Sequence, residues 1–251
     1  MMKVKFPKTV FGLCLVIVLV LWALSFAGWI EPVRLSEHLA GDGPRAVVVG
    51  DTIHVVFCLL DLFYLRSTDN GRTWTEPVVI SDTLGSSWPG DITFSNGNIH
   101  IGWVVPPHGQ IARPQLYHRS SSDGGINWSG PHRVFCHGGI NSGMLKYPRL
   151  AAIGDTLFIS CRTDHELLCF RSFSSGETWV DSTAMESGSL IIDHPQSLLT
   201  SQRRLHVIYQ LNIAGDSLGI EIYHRYSDDY GLTWSPRYMP VSYTHLTLPT
   251  N

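Results

Sequence analysis

The chain has 251 residues, 44% of them hydrophobic and 11% aromatic, which is enough apolar material for a buried core and too much for an intrinsically disordered chain. Its 18 basic and 21 acidic side chains give a formal net charge of -3 and are spread without blocks, so there is no basic stripe for a polyanion and nucleic acid is excluded as a partner. The 12 histidines and 5 cysteines show no zinc-ligand spacing, and neither a metal nor a cofactor is expected.

The first element is an export segment. Lys3, Lys5 and Lys8 precede an uncharged apolar run from Val10 to Ala27, which ends in Ser25-Phe26-Ala27 and offers a small-x-small cleavage site. The run exceeds a usual signal core of roughly 7–15 residues and approaches the ~18 of a membrane helix, so residues 1–27 read as a signal peptide or an N-terminal anchor. In both cases the remainder is delivered across a membrane, secreted or at the cell surface, and touches the membrane only through this segment. Four cysteines follow it, Cys58, Cys136, Cys161 and Cys169. Either Cys161 and Cys169 face each other across a hairpin, or all four are buried thiols.

Next comes Trp29-Ile30-Glu31-Pro32-Val33-Arg34-Leu35-Ser36-Glu37, a copy of the later stretch Trp74-Thr75-Glu76-Pro77-Val78-Val79-Ile80-Ser81-Asp82. Its meaning follows from the repeat that dominates the rest of the chain. One octapeptide recurs four times: S-T-D-N-G-R-T-W at 67–74, S-S-D-G-G-I-N-W at 121–128, S-F-S-S-G-E-T-W at 172–179 and S-D-D-Y-G-L-T-W at 227–234. The start-to-start spacings are 54, 51 and 55 residues.

The flanks repeat as well. Ahead of the boxes lie first runs at 45–49, 91–95, 149–153 and 196–199, then alternating apolar runs at 52–57, 98–103, 156–161 and 204–209. An aromatic residue and an arginine follow, in Tyr64-Leu65-Arg66, Tyr117-His118-Arg119, Phe170-Arg171 and Tyr223-His224-Arg225. A last run comes after the tryptophan, as at 76–80 and 132–135. His118 and His224 recur at one position of the repeat and therefore read as scaffold.

Each octapeptide suits a tight turn. Asp69, Asp123 and Asp229 can accept backbone N–H bonds across it, and Gly71, Gly125, Gly176 and Gly231 supply a positive φ. Trp74, Trp128, Trp179 and Trp234 each bury ~150–250 Å² of ring, worth several kcal/mol at ~25 cal/mol/Å². The third copy has Ser174 in place of Asp, which predicts the least rigid of the four turns.

Four short strands per unit, repeated at this period with no helical pattern beyond the export segment, give an all-β chain of four-stranded antiparallel blades, a β-propeller. A parallel β-helix is the other repetitive β fold, but its repeats are much shorter. The blades span about 45–82, 89–137, 147–185 and 194–242, within a propeller region of 28–242. Residues 29–37 read as a lone fourth strand that closes the ring by joining the last blade. The tail 243–251 matches no position of the repeat and reads as non-native, following a truncated frame.

With their flanks, these octapeptides resemble the Asp boxes, or BNR repeats, of the sialidase (neuraminidase) superfamily, over residues 29 to about 242. The resemblance implies a propeller with four blades here of a total of six, so roughly 100 further residues would complete it. It also implies an exo-sialidase type of glycoside hydrolase acting on terminal sugars of glycans. The alternative is a non-catalytic surface propeller that binds glycan or protein, with Trp88, His108 and Tyr147 available to stack on sugars.

Strand alternation puts the boxes and the turns at 50–51, 96–98 and 154–155 on one face. The site is expected on the other face, with the loops 58–63, 106–115, 162–167 and 211–219. In the resembling enzymes three arginines grip a substrate carboxylate, an Asp is the general acid, and a Tyr paired with Glu is the nucleophile. The corresponding substrate-binding candidates are Arg45, Arg149, Arg162 and Arg113, and the acid candidate is Asp61. The family's Arg-Ile-Pro motif is replaced by Gly43-Pro44-Arg45-Ala46, and no residue is assigned to the Tyr/Glu pair.

Overall fold

The computed structural model describes residues 32–35, 41–81, 86–109, 113–134, 145–188, 190–213 and 220–239. The chain divides into two compact units, Met1–Glu37 and His38–Asn251. In the first, only residues 32–35 are described, and they form no strand. The export segment 1–27, most of the ring-closing segment 29–37, Cys136 and the tail 243–251 lie outside the described residues. No helix among the described residues is long and apolar enough to cross a membrane.

Among its described residues the second unit has fifteen strands and no helix. They form four antiparallel sheets arranged as propeller blades. Blade 1 is β1 (Asp42–Val49), β2 (Thr52–Cys58), β3 (Leu62–Ser67) and β4 (Val78–Val79). Blade 2 is β5 (Trp88–Ser95), β6 (Asn98–Val105), β7 (Gln115–Ser121) and β8 (His132–Val134). Blade 3 is β9 (Lys146–Ile153), β10 (Thr156–Arg162), β11 (Glu166–Ser172) and β12 (Val180–Ser187). Blade 4 is β13 (Leu190–Leu199), β14 (Leu205–Ile213) and β15 (Ile220–Ser227), with, among the described residues, a bridge between His224 and Tyr238 on its fourth edge. The first strands β1, β5, β9 and β13 neighbour one another in that order.

Blades are held together by the period-two alternation of their side chains. One face of blade 1, with Val56, Leu62 and Tyr64, meets Ile99, Ile101 and Trp103 of blade 2. The other face of blade 2, with Val104 and Leu116, meets Leu150, Ile159 and Phe170 of blade 3. Phe158, Leu167 and Cys169 on the far face of blade 3 then meet Val207, Tyr209 and Leu211 of blade 4.

The same alternation decides between the two readings of the cysteines. Cys161 is registered with Leu168 and Cys169 with Ser160, so the two thiols lie on opposite faces of one sheet, in different cores. No disulfide joins them. Cys58, Cys161 and Cys169 are all buried, and burial raises the thiol pKa of Cys58 to about 11 and of Cys169 to about 12.

In each box the Asp carboxylate closes the turn. Asp69 accepts the Thr73 amide at 2.8 Å and its hydroxyl at 2.7 Å, Asp123 accepts Asn127 N and Nδ2, and Asp229 accepts Thr233 N and Oγ1. These bonds, led by the backbone amide in Asp69 and Asp123 and by the Thr233 hydroxyl in Asp229, hold all three carboxyls at about 2. Ser174 reaches the same partners, Thr178 N at 2.9 Å and Oγ1 at 2.7 Å, with one oxygen where the others use two.

The box glycine needs its missing Cβ twice over. At Gly125 and Gly176 φ is 82° and 84°, and a methyl group there would overlap the Tyr64 ring of blade 1 and the His118 ring of blade 2 respectively. Above each joint stands the box tryptophan, Trp128 edge-on to Tyr64 at 4.9 Å and Trp179 edge-on to His118 at 5.5 Å.

Candidate functional site

Box turns and first hairpin turns share one end of the blades, tied by Asn70 N to Asp51 O and by Ser175 N to Asp155 O. The candidate site lies at the other end, where the first strands begin.

Every first strand carries the same irregularity there. Three steps along it are matched by two along its partner: Asp42 to Arg45, Trp88 to Asp91, Lys146 to Arg149, and Asp193 to Gln196. The cause is local. Pro44, Pro148 and Pro195 cannot donate to a ladder, and the residues before them, Gly43, Tyr147 and His194, turn to φ of 57°, 52° and 46°. In blade 2 Pro89 itself occupies the position of Gly43. A bulge of this kind re-aims side chains, here Arg45, Asp91, Arg149 and Gln196 at one level of four adjacent strands.

Asp91 sits between two cations. Its Oδ1 is 3.9 Å from Arg45 Nε, its Oδ2 accepts the Leu150 amide at 2.8 Å, and Arg149 lies within electrostatic reach. Burial raises the Asp91 pKa, while the Leu150 bond and the arginines pull it back. Arg149 is 4% exposed and donates Nη1 to Pro148 O at 2.8 Å. Burial lowers its pKa too, yet a guanidinium stays charged at neutral pH. The buried Nε atoms of Arg45 and Arg149 find no hydrogen-bond acceptor among the described residues.

A second group adjoins the first through Tyr147. The Arg162 guanidinium lies 5.5 Å from the Tyr147 ring centre, and its Nε is 3.4 Å from Asp193 Oδ1. Tyr147 stacks on His194 with centroids 5.2 Å apart, and His194 Nδ1 is 3.5 Å from Asp193 Oδ2. Tyr147 also lines a cleft of about 230 Å³ with Asp42, Trp88, Pro89 and Lys146. Lys146 Nζ stands 5.6 Å from the Trp88 ring centre. Bulge residues of three blades thus form one concavity with two aromatic rings, a cation and a carboxylate. Among the described residues no three His, Cys, Asp or Glu side chains converge on a metal-sized point.

Of the sequence candidates, Arg45 and Arg149 are brought together around Asp91, and Arg162 joins them through Tyr147. Arg113 is exposed on the connection between β6 and β7. Asp61, between β2 and β3, accepts the Ser81 hydroxyl at 2.9 Å, and that hydroxyl in turn accepts the Leu62 amide at 3.1 Å. Asp42, Asp91, Lys146, Asp193 and His194 carry the rest of the cluster and escape a motif search. Their signal in the sequence is the x-Pro-x that recurs ahead of three of the four first runs, Gly43-Pro44-Arg45, Tyr147-Pro148-Arg149 and His194-Pro195-Gln196, with Pro89 one position earlier in the other.

A Tyr/Glu pair also exists, away from this cleft. Tyr209 donates a short hydrogen bond to Glu186, which is 5% exposed and is approached by Arg237 Nε at 3.2 Å and Arg225 Nη1 at 3.5 Å. Burial, and then the bond to Glu186, push the Tyr209 pKa well above the usual phenol range. This network joins blade 3 to blade 4.

Solved structures resemble the chain in fold. A protein of unknown function from Dyadobacter fermentans superposes with a TM-score of 0.62 at 16% identity, covering 84% of this chain and 68% of that one. A GH93 α-L-arabinofuranosidase of Fusarium graminearum with arabinobiose gives 0.60 at 15% identity, covering 84% and 69%. An α-L-arabinanase of Penicillium chrysogenum complexed with arabinobiose gives 0.57 at 13% identity, covering 76% and 64%. No curated protein matches the sequence. The profile of the BNR repeat-like domain matches residues 62–251, most of the chain and all four boxes, and the protein therefore belongs to the BNR repeat-like domain family.

Proposed function

We propose that this protein is an exported glycan-acting propeller that takes terminal sugars into the cleft between Asp42, Trp88, Pro89, Lys146 and Tyr147. One observation carries the reading: the same bulge in successive first strands gathers aromatic and charged side chains of three blades into a single concavity. Sugar rings present apolar faces that stack on Trp88 and Tyr147, and hydroxyl oxygens that suit the Lys146 ammonium and the Asp42 carboxylate lining the same cleft. The fold neighbours include an arabinofuranosidase and an arabinanase solved with arabinobiose, which supports glycan as the ligand class. Export rests on Lys3, Lys5, Lys8 and the apolar run to Ala27.

The finer reading is a hydrolase of exo-sialidase type, with Arg45, Arg149, Arg162 and Arg113 as carboxylate partners and Asp61 as the acid. The non-catalytic reading is favoured by two observations: Asp61 is engaged by Ser81, and the Tyr209–Glu186 pair is buried between blades under two arginines. A glycan array followed by titration calorimetry tests the common core. Trp88→Ala and Tyr147→Ala are expected to weaken binding at least about tenfold, each removing a stacking face. An array without hits, or hits indifferent to both substitutions, removes this site. Release of fluorophore from a sialoside or an arabinofuranoside separates enzyme from binder.

A further inference from the structure

The bulge that shapes the first strands asks for a turn, not for a ring. Gly43, Tyr147 and His194 each precede the bulge proline, at φ of 57°, 52° and 46°. Glycine takes this left-handed backbone freely, whereas a tyrosine or a histidine takes it at a steric cost. Strain of that kind persists where the surroundings over-determine it. At Tyr147 they do: the ring stacks on His194 of the next blade, with centroids 5.2 Å apart and an angle of 21° between the planes. The Arg162 guanidinium lies 5.5 Å from the ring centre, because Arg162 ends β10 in register with Lys146, the residue before Tyr147.

Both neighbours of the ring are tied to one carboxylate. Asp193 Oδ1 is 3.4 Å from Arg162 Nε and accepts the His194 amide at 3.0 Å, and Asp193 Oδ2 is 3.5 Å from His194 Nδ1. The loop of contacts therefore closes, from Tyr147 to His194 to Asp193 to Arg162 and back to Tyr147. It spans the joint between blades 3 and 4, and each member has its partners inside that joint. The cleft, by contrast, is lined by residues of blades 1, 2 and 3, and Tyr147 is the member common to both groups.

We propose that Asp193, His194 and Arg162 are positioning residues for the glycan cleft: they hold the Tyr147 ring where it meets a sugar, and blade 4 thereby sets the affinity of a site lined by the other three blades. The inference rests on the glycan reading of that cleft. A ring already held loses little freedom when a sugar arrives, and that freedom is otherwise a cost of binding. Asp193 is the keystone, since it engages both flanking groups and the backbone of the strained turn.

Two substitutions in the full chain test it. Asp193→Asn keeps the shape and removes the charge, and His194→Gly removes the ring and suits a φ of 46°. The titration probe is arabinobiose or sialyllactose, whichever the parent chain binds more tightly, or failing both the strongest hit of the glycan array. Each substitution is expected to weaken that binding about fivefold, through the freedom returned to one side chain. In a Tyr147→Ala background, Asp193→Asn is expected to change affinity by less than about twofold. Fluorine NMR of the chain labelled with fluorotyrosine reads the ring without any sugar. The Tyr147 resonance, assigned by its absence from Tyr147→Phe, is expected to shift in both variants. An unmoved resonance overturns the proposal, as do affinity losses that add in the double variant, which mark direct contact with the sugar or general destabilisation. Binding lost with Trp88→Ala but not with Asp193→Asn overturns it and leaves the glycan reading standing, whereas a parent chain without a hit removes both.

Discussion

The pairs His100–His118 and His206–His224 are chemically the same device at the same place in two blades, and they live in different media. The first is sealed beneath Gly176 and Trp179 and both rings are held far below the ordinary histidine pKa, His100 at about 4 and His118 at about 3, by burial above all. The second is half-buried, and burial lowers both rings without sealing them. A repeat motif thus fixes what a side chain touches within its own sheet. The neighbouring blade fixes whether that contact is dry, and hence how much it matters to stability.

The largest expected effect of a single substitution comes from filling the sealed joint. Gly176→Ala strains a φ of 84° and drives a methyl into the His118 ring, which the close packing around Trp179 cannot absorb. A loss of roughly 3 kcal/mol or more is expected in denaturant unfolding. Gly71→Ala carries the same backbone strain with free space outside, and about 1 kcal/mol is expected. Equal losses would mean that the strained turn alone, and not the approach of the next blade, requires glycine.

Acid is the next lever. A histidine whose folded pKa is depressed contributes fully above its unfolded value near 6.5, and stability falls as pH drops below that, by about 1.4 kcal/mol per unit per ring, until the folded pKa is reached. For His100 and His118 that window runs from about 6.5 down to about 4 and about 3, with His132 adding a like charge facing His118. A loss on the order of 5 kcal/mol is expected at about pH 4.5. Blade 3 supplies the control, since Phe158 and Cys169 occupy the two histidine positions there. The double change His100→Phe, His118→Cys is expected to flatten the pH profile of unfolding between 4.5 and 6.5, whereas His206→Phe, His224→Cys leaves most of it. A slope that survives the first change belongs to other groups.

Most of the fold is legible in the sequence because the box is a self-contained device: serine, carboxylate, glycine and tryptophan solve one local turn, and four solutions at one period leave few architectures. The parity of strands carries further information. Cys161 and Cys169 are eight positions apart, and the hairpin register sends them to opposite faces. The candidate cleft is harder to read. Its shape depends on Pro44, Pro89, Pro148 and Pro195, which locally signal the end of a strand, whereas the ladder resumes beyond each of them after a bulge. Arginines stand out as candidate ligands by type, but Asp91 and Asp193 matter only through partners 46 and 31 residues away, Arg45 and Arg162, and such pairings exist only once the blades are stacked.

The smallest effect tests what blade 3 brings to the sealed joint. Its box provides Gly176 and Trp179, yet it alone closes its turn with a hydroxyl. Ser174 meets Thr178 N and Oγ1 with one oxygen, whereas Asp69 divides the same two donors between two carboxylate oxygens and takes the Ser67 hydroxyl as well. Ser174→Asp installs the charge-assisted version, and a rise in Tm of roughly 1–2 °C at neutral pH is expected. The sign of its pH dependence follows from the other boxes, whose carboxyls sit at about 2, below the unfolded value: the gain is present above about pH 4 and disappears as pH falls towards 2. A gain that persists at pH 2 would come from packing instead of charge. No gain at all would mean that Trp179, pinned by its own Nε1 bond to Gly176 O at 3.1 Å, already fixes this turn and that the seal over His118 owes nothing to the carboxylate.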